Sequence, residues 1–332
     1  MHQERLRLSL PSKGRLEQGS MQFLEDCGLR VVKTNPRQYE AYIPSLPEIV
    51  VLFQRPGDIV VSVRDGSVDF GITGIDLVEE RKGLNGDVIV LHDALGFGHC
   101  TLCLAVPESW EEVHSQDDLV DIANRLGRPL KVATRYPFIT STHLEAHSIP
   151  YNMISAEGTL ETAPAIGYAD MISDLVSSGQ TLRDNRLRPL LDGNILSSQA
   201  GLIANRSVIK NNPHALAVAR KLLEYFEAHL RAVENVAIFA NIRGKDPETI
   251  AGKIFAQQTI GGLQGPTVSR VMVRDDEPDW FAVHIVVRRD QLFRAISELR
   301  AIGGSGVVVS PVLYIFDEEP PRYRAMLKAL ED

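Results

Sequence analysis

Residues 169–182 read ADMISDLVSSGQTL, an apolar run that carries Asp170 and Asp174 and ends in Ser177, Ser178, Gly179, Gln180, Thr181 and Leu182. Positions four apart on an extended strand face the same side, so the pattern predicts two carboxylates directed at one site. The turn that follows suits a phosphate. Gly179 permits close backbone approach and a left-handed conformation, and successive N–H groups with the Ser178 and Thr181 hydroxyls can converge on a dianion. Two carboxylates beside such a cradle would repel their ligand unless they bind sugar hydroxyls or a Mg²⁺ that the ligand brings. Phosphate, diol and metal together describe a phosphoribosyl diphosphate. The same residues also fit an ordinary turn behind a buried strand with two solvated aspartates.

Two further clusters follow apolar runs. Ser12-Lys13-Gly14-Arg15 places two cations at the carboxyl end of the first predicted strand, and Gly71-Ile72-Thr73-Gly74-Ile75-Asp76 predicts a flexible loop of backbone donors. Arg55 and Arg135, each just after an apolar run, are candidates for polyphosphate charge. No nucleophile or metal cage emerges: neither His143 with His147 nor His92 with His99 has a supporting ligand set. A Walker A loop and a G-x-G-x-x-G fingerprint are both absent. Cys100 and Cys103 form a C-x-x-C pair inside TLCLAV, but a strand's period of two points the sulfurs to opposite faces, so they read as buried reduced thiols.

The elements that must position these residues alternate between strands and helices. Strands are predicted at 5–10, 49–53, 68–72, 88–91, 101–106, 130–133, 171–176 and 200–204, with Asp58 capping a short helix after Pro56-Gly57. This alternation implies a mainly parallel sheet with ligands beyond the carboxyl ends of its strands. Pro213 opens an amphipathic helix with Leu216, Ala219, Leu223, Phe226, Leu230 and Val233 at helical spacing. The last hundred residues predict βαββαβ: a strand at 236–242, a helix opened by Asp246-Pro247, strands at 267–273 and 280–287, a helix capped by Asp290 and stopped by Gly303-Gly304, and a strand from Val307 toward Phe316. That order is ferredoxin-like. The expected organisation is α/β: residues 1–105 with 190–231 as one catalytic lobe and its connector helix, 106–189 as the second, 232–316 as the ferredoxin-like domain, and 317–332 as a tail.

A chain of 332 residues suits two or three compact units, and 44% hydrophobic against 23% charged residues lies in the globular range. With 35 Lys plus Arg against 43 Asp plus Glu, the formal charge of −8 gives no broad footprint for nucleic acid or an anionic membrane, so any phosphate site must be built locally. The charged opening MHQERLRLSLPSKGR and the lack of a long apolar run predict a cytoplasmic protein.

Taken together, these segments resemble ATP phosphoribosyltransferase in its long form. The resemblance runs to about Phe316 through LSLPSKGRL, DGSVDFGITGIDLVEE, LGFGHCTLCLAV, KVATRYP, SAEGTLETAPAIGYADMISDLVSSGQTL, GGLQGPT, WFAVHIVV and LRAIGGSGVVVSPV. It implies two α/β lobes of the periplasmic-binding-protein type with the active site in their cleft, followed by a ferredoxin-like regulatory domain. The implied reaction joins N1 of ATP to C1 of 5-phosphoribosyl 1-diphosphate and releases diphosphate, with Mg²⁺, as the first step of histidine biosynthesis. By the same resemblance Asp170, Asp174 and Ser177 to Leu182 hold the phosphoribosyl group and its metal, and Lys13, Gly14, Arg15, Arg55, Asp58, Gly71, Thr73, Gly74 and Tyr136 lie near the nucleotide. Leu263, Gly265, Thr267, Ser305 and Gly306 match the family's histidine effector site, and dimers assembling into hexamers are implied. Ile75, Glu157, Gln180 and Gly265 depart from the family's usual residues; Gln180 would lengthen a side chain in the phosphate loop, and Gly265 would remove an effector-site hydroxyl.

Displacement at an anomeric carbon develops oxocarbenium character, and N1 of adenine carries no proton, so the chemistry needs orientation and charge stabilisation rather than a nucleophile or base. Two other readings share the cleft: a binding protein that holds a phosphorylated ligand unchanged, and a catalytically dead regulatory subunit.

Overall fold

The computed structural model describes residues 5–33, 35, 39–156, 159–177, 179–272 and 279–331. Ser178 of the phosphate turn and the departure at Glu157 lie outside the described residues. The chain divides into two compact units, one running to Arg220 and resuming at Arg322, the other Lys221–Pro321.

The first unit opens with β1 (Leu6–Pro11), α1 (Gly14–Asp26), β2 (Glu40–Tyr42), β3 (Ile49–Gln54), α2 (Pro56–Arg64), β4 (Phe70–Gly74), α3 (Ile75–Arg81) and β5 (Val88–His92). It continues through β6 (Cys100–Pro107), α4 (Gln116–Leu126), β7 (Leu130–Thr134), α5 (Pro137–Ala146), β8 (Tyr151–Ser155), β9 (Met171–Val176), α6 (Gln180–Asp184), β10 (Leu187–Ser198), β11 (Ala200–Asn205), α7 (Arg206–Asn211) and the start of α8 (Pro213–Val233). These strands make two sheets, ordered β2-β3-β1-β4-β11-β5 and β10-β6-β9-β7-β8.

Each sheet is mainly parallel with reversed strands: four of the six strands in the first and four of the five in the second point one way. β1, β3 and β4 run parallel, as do β7, β8 and β9, but β11 is antiparallel to both β4 and β5, and β6 is antiparallel to β9 and β10. The chain crosses between the sheets twice, after β5 and after β10, and each crossing delivers a strand in the reverse sense. Because β6 and β10 bond within the second sheet, the lobe boundaries fall just before Cys100 and just after Ser198, not at 105 and 190.

Local chemistry sets the helix starts. α2 begins at Pro56, whose ring fixes a helical φ and whose missing N–H costs nothing in the first turn. Its N-cap is therefore Arg55, and Asp58 sits inside the first turn instead of capping. Ile59, Val60 and Val63 are helical despite β-branching, because all three are buried against β4 and β11, and packing outweighs a propensity difference of a few tenths of a kcal/mol.

α11 (Pro321–Glu331) closes the chain. Its described part past Pro321 packs within the first unit, burying Met326 and Leu330, with Arg322 2.6 Å from Asp93 and Arg206 donating to the Ala329 carbonyl.

The second unit holds the end of α8, then β12 (Asn235–Arg243), α9 (Pro247–Phe255), β13 (Thr267–Arg270), β14 (Trp280–Arg288), α10 (Leu292–Ala301) and β15 (Gly304–Pro311). The order β13-β14-β12-β15 with two helices is the expected ferredoxin-like βαββαβ arrangement. Val236, Ile238, Ala240 and Ile242 of β12 share one face and join Phe281, Val283, Ile285 and Val287 of β14 under α9 and α10. Asp246 caps α9 as expected, accepting from Thr249 N–H at 2.7 Å. Asp290 does not cap α10: it pairs with Arg288 within a 3₁₀ turn, and Gln291 is the N-cap.

Candidate active site

In the first sheet the parallel strands β3, β1 and β4 end on the same side. Lys13 and Arg15 are exposed after β1, where Gly14 takes φ +78° at the start of α1, and Arg55 is exposed after β3. Asp58, also exposed, lies one turn into α2. This edge gathers three cations on a lobe face.

The segment Gly71 to Asp76 is not a flexible donor loop. Gly71 lies within β4, where a Cβ would come 2.4 Å from an Ile59 methyl, so the glycine serves helix–sheet packing. Thr73 is fully buried and donates its hydroxyl to the Pro56 carbonyl at 3.0 Å. Gly74 is the N-cap of α3, and a Cβ there would collide with the Asp76 carboxylate; the Ile75 N–H is already given to the Gln199 carbonyl. Gly71 and Thr73 are thus packed within the first lobe, between β4 and α2.

What this segment does supply is Asp76. Its carboxylate, 4% exposed, accepts the Tyr136 O–H and the Ser198 O–H, both at 2.7 Å, while its own N–H donates to Ser198 Oγ at 2.9 Å. One group of three side chains therefore joins α3, the β7–α5 turn and the end of β10. Burial, then the Asp76 charge, drives the Tyr136 phenol well above its ordinary pKa, so it stays a donor.

On the second sheet, β9 carries both aspartates to opposite ends of itself. Asp170, just before the strand, is clamped by Arg128 through two bonds of 2.6 and 2.9 Å and accepts the Lys131 N–H at 2.7 Å. The Arg128 guanidinium holds its carboxyl below the usual range. Equal parity puts Asp170 and Asp174 on one face, yet four residues of strand separate them by about 13 Å. Asp170 is therefore a structural anchor at the far end of β9, and the expectation that it shares a ligand and a metal with Asp174 is not met.

Asp174 stands near the carboxyl end. Burial raises its pKa, while the Leu175 N–H at 2.8 Å and the nearby Arg135 pull it back and Glu161 pushes it up. After it come Ser177, exposed, and Gly179 at φ +71° as N-cap of α6. Gln180 donates to Asp184 at 2.6 Å and accepts from Arg183 at 3.1 Å, so its side chain engages residues of α6. Thr181 is exposed, whereas Leu182 is buried in the core and anchors the turn from behind.

Beside Ser177 lies a cavity of about 310 Å³ lined by His99, Cys100, Thr101, Val176, Ser197, Ser198 and Gln199. Spacing alone missed these residues, since the two crossings that bring them together are a hundred positions apart. Cys100 and Cys103 are free thiols, each pushed up to about 11 by burial first and then by a carboxylate, Asp76 for one and Asp174 for the other. The sequence reading expected both to be buried; Cys103 is, whereas Cys100 is half-buried and lines the cavity.

In the second unit a separate cavity of about 640 Å³ is lined by Leu263, Gly265 and Thr267 together with Arg231, His284 and Arg288 among others. Gly265 takes φ +124°, a region that disfavours any side chain, so its departure from the family's residue has a backbone cause here. Ser305 and Gly306 are not in this cavity. They lie on β15, the edge strand opposite β13, with β12 and β14 between.

Comparison with known proteins gives the geometry a family. Residues 55–228 match the family described as ATP phosphoribosyltransferase, and 232–314 match its C-terminal domain. Two chloroplastic ATP phosphoribosyltransferases of Arabidopsis thaliana are 43% and 41% identical, over 98% and 99% of this chain and 81% and 82% of theirs. An ATP phosphoribosyltransferase of Gemmatimonas aurantiaca is 35% identical over 92% of this chain and 98% of its own. A solved ATP phosphoribosyl transferase (HisG:HisZ) complex from Thermotoga maritima matches 67% of this chain and 98% of that one at a TM-score of 0.52 and 23% identity, a likeness of fold. On family match, relatives and architecture alike, this chain belongs to the ATP phosphoribosyltransferase family.

Proposed function

We infer that this chain transfers the 5-phosphoribosyl group of phosphoribosyl diphosphate to N1 of ATP, releasing diphosphate, as the first step of histidine biosynthesis. The observation that carries the reading is the carboxyl end of β9, where the buried Asp174, with Arg135 near it, is followed by Ser177 at the cavity of the two crossings and by Gly179 at the start of α6. The glycine turn would cradle the 5-phosphate, and Asp174 would accept from the ribose hydroxyls. Lys13, Arg15 and Arg55 would receive the nucleotide's polyphosphate from the facing lobe.

In the reaction the N1 lone pair forms a bond to C1 as the C1–O bond to diphosphate breaks, and no proton moves at N1. The protein's part is to hold the two reactants in line, shield the forming oxocarbenium character with Asp174, and exclude water. A metal fits as a companion of the substrate: Asp174 offers a single carboxylate, and among the described residues no three His, Cys, Asp or Glu side chains gather into a cage. Mg²⁺ held mainly by diphosphate oxygens, with Asp174 near it, would neutralise the leaving group.

Feedback by histidine at the cavity of Leu263, Gly265 and Thr267, and dimers assembling into hexamers, belong to the same proposal. Ser305 and Gly306 enter it only across a subunit boundary, because one sheet holds them on its other edge. A cytoplasmic placement also stands as a proposal, tested by fractionation of the source cells. Among the described residues no helix is long and apolar enough to cross a membrane.

Purified protein mixed with ATP, phosphoribosyl diphosphate and Mg²⁺ tests the reaction. Equimolar diphosphate and N1-phosphoribosyl-ATP are expected; tight binding of both substrates with no turnover would instead favour the binding-protein reading.

A further inference from the structure

α3 stands on the first sheet and α5 on the second, and Asp76 and Glu80, one helical turn apart on α3, both reach the start of α5. Asp76 accepts the Tyr136 O–H. Glu80 sets one carboxylate oxygen on the Phe138 N–H and the other on the Ile139 N–H, each at 3.0 Å. These are the second and third residues of a helix whose N-cap, Tyr136, makes no side-chain cap and whose first residue, Pro137, has no N–H to give. The open end of α5 is thus satisfied by a carboxylate from the opposite lobe, where the helix dipole also favours negative charge.

α5 is in turn fixed to β9. The Thr140 and Ser173 hydroxyls lie 2.9 Å apart, and Ser173 is the residue before Asp174. At the other end of the connection, the Thr134 hydroxyl accepts the Tyr136 N–H at 2.9 Å. A continuous path therefore runs from Glu80 through the first turn of α5 to the strand that carries Asp174.

We propose that Glu80 is a positioning residue for the transfer reaction, a clasp that fixes how closely the two lobes approach. The inference rests on the reading that the cleft holds both substrates, one on each lobe. In-line attack requires reacting atoms about 3–3.5 Å apart, and a misplacement near 1 Å can cost about 100-fold, so lobe spacing needs a fixed stop. A residue without contact to either substrate supplies it.

Losing a helix cap shifts an equilibrium by about fivefold. Glu80→Ala is therefore expected to raise KM for both substrates about fivefold while kcat stays within about twofold, because saturating substrates themselves favour closure. Glu80→Gln, with one carbonyl oxygen for two N–H groups, should fall between. Small-angle scattering of the substrate-free variants should show a larger radius of gyration that both substrates together restore. Wild-type KM values in Glu80→Ala overturn the clasp, as does a joint fall in kcat and Tm with KM unchanged, the signature of a merely structural role. If Glu80→Ala does not fold, an unchanged KM in Glu80→Gln overturns it. Retained activity in Asp174→Asn would sink the cleft reading itself, a separate result.

Discussion

Asp170 and Asp174 share a residue type and a strand face, yet their surroundings give them different work. The Arg128 partner of Asp170 lies 42 positions away, so spacing within 169–182 could not reveal it. Asp170→Asn should leave kcat within a few-fold and lower Tm by a few degrees. Arg128 is 42% exposed, so solvent screening keeps the pair's contribution small. Because the folded Asp170 carboxyl is depressed, its contribution is present above the ordinary carboxylate pKa and is lost only as pH falls through the lower folded value. His92 also loses stability as pH falls, but for a different reason and in a higher window. It is 3% exposed, accepts the Ala94 N–H, and is lowered from 6.5 to about 4 by burial first, then by Arg322, with Asp93 opposing. The unfolded chain therefore takes up the proton first, and stability should fall between pH 6.5 and 4 by on the order of 3 kcal/mol. Urea unfolding across that range checks this, and His92→Asn should flatten the slope.

At the scale of elements, short apolar runs announced β1, β3, β9 and β11 because each is buried on one or both faces. β10 stayed hidden. Pro189 and Gly193 interrupt its apolar pattern, and they coincide with irregular register against β6, where a strand tolerates both. The cap of α5 was illegible for another reason: it comes from Glu80, 58 positions before Phe138, and only the missing Ser, Thr, Asp or Asn at Tyr136 hinted at it. Asp246, by contrast, was readable because cap and helix are contiguous. Asp246→Ala should cost about 1 kcal/mol, seen as a lower Tm with kinetics intact. Gly179→Ala should act on function instead. At φ +71° a side chain costs about 1–2 kcal/mol, so KM for phosphoribosyl diphosphate should rise roughly tenfold while KM for ATP holds.

For the whole molecule, the proposed reading has an acidic chain assemble an anion site from local features: a glycine turn, three cations on one lobe face, and Asp174 on the other lobe. The ferredoxin-like unit was the most legible part, since its strands and helices follow one another along the chain in the order they have in the fold. Its candidate effector residues divide between two edges of one sheet, a separation that linear order conceals. Titration of the wild-type enzyme with histidine should lower its rate, and a Thr267→Ala variant should need more histidine for the same effect; an equal response in both would remove Thr267 from the site. The central claim is that chemistry happens at the carboxyl end of β9 and not along its whole length. Turnover of ATP and phosphoribosyl diphosphate by Asp174→Asn and Asp170→Asn, measured side by side at saturating substrate, decides it. A loss of about 100-fold or more in the first with near wild-type kcat in the second is predicted, and equal losses in both, or a loss confined to Asp170→Asn, would contradict it.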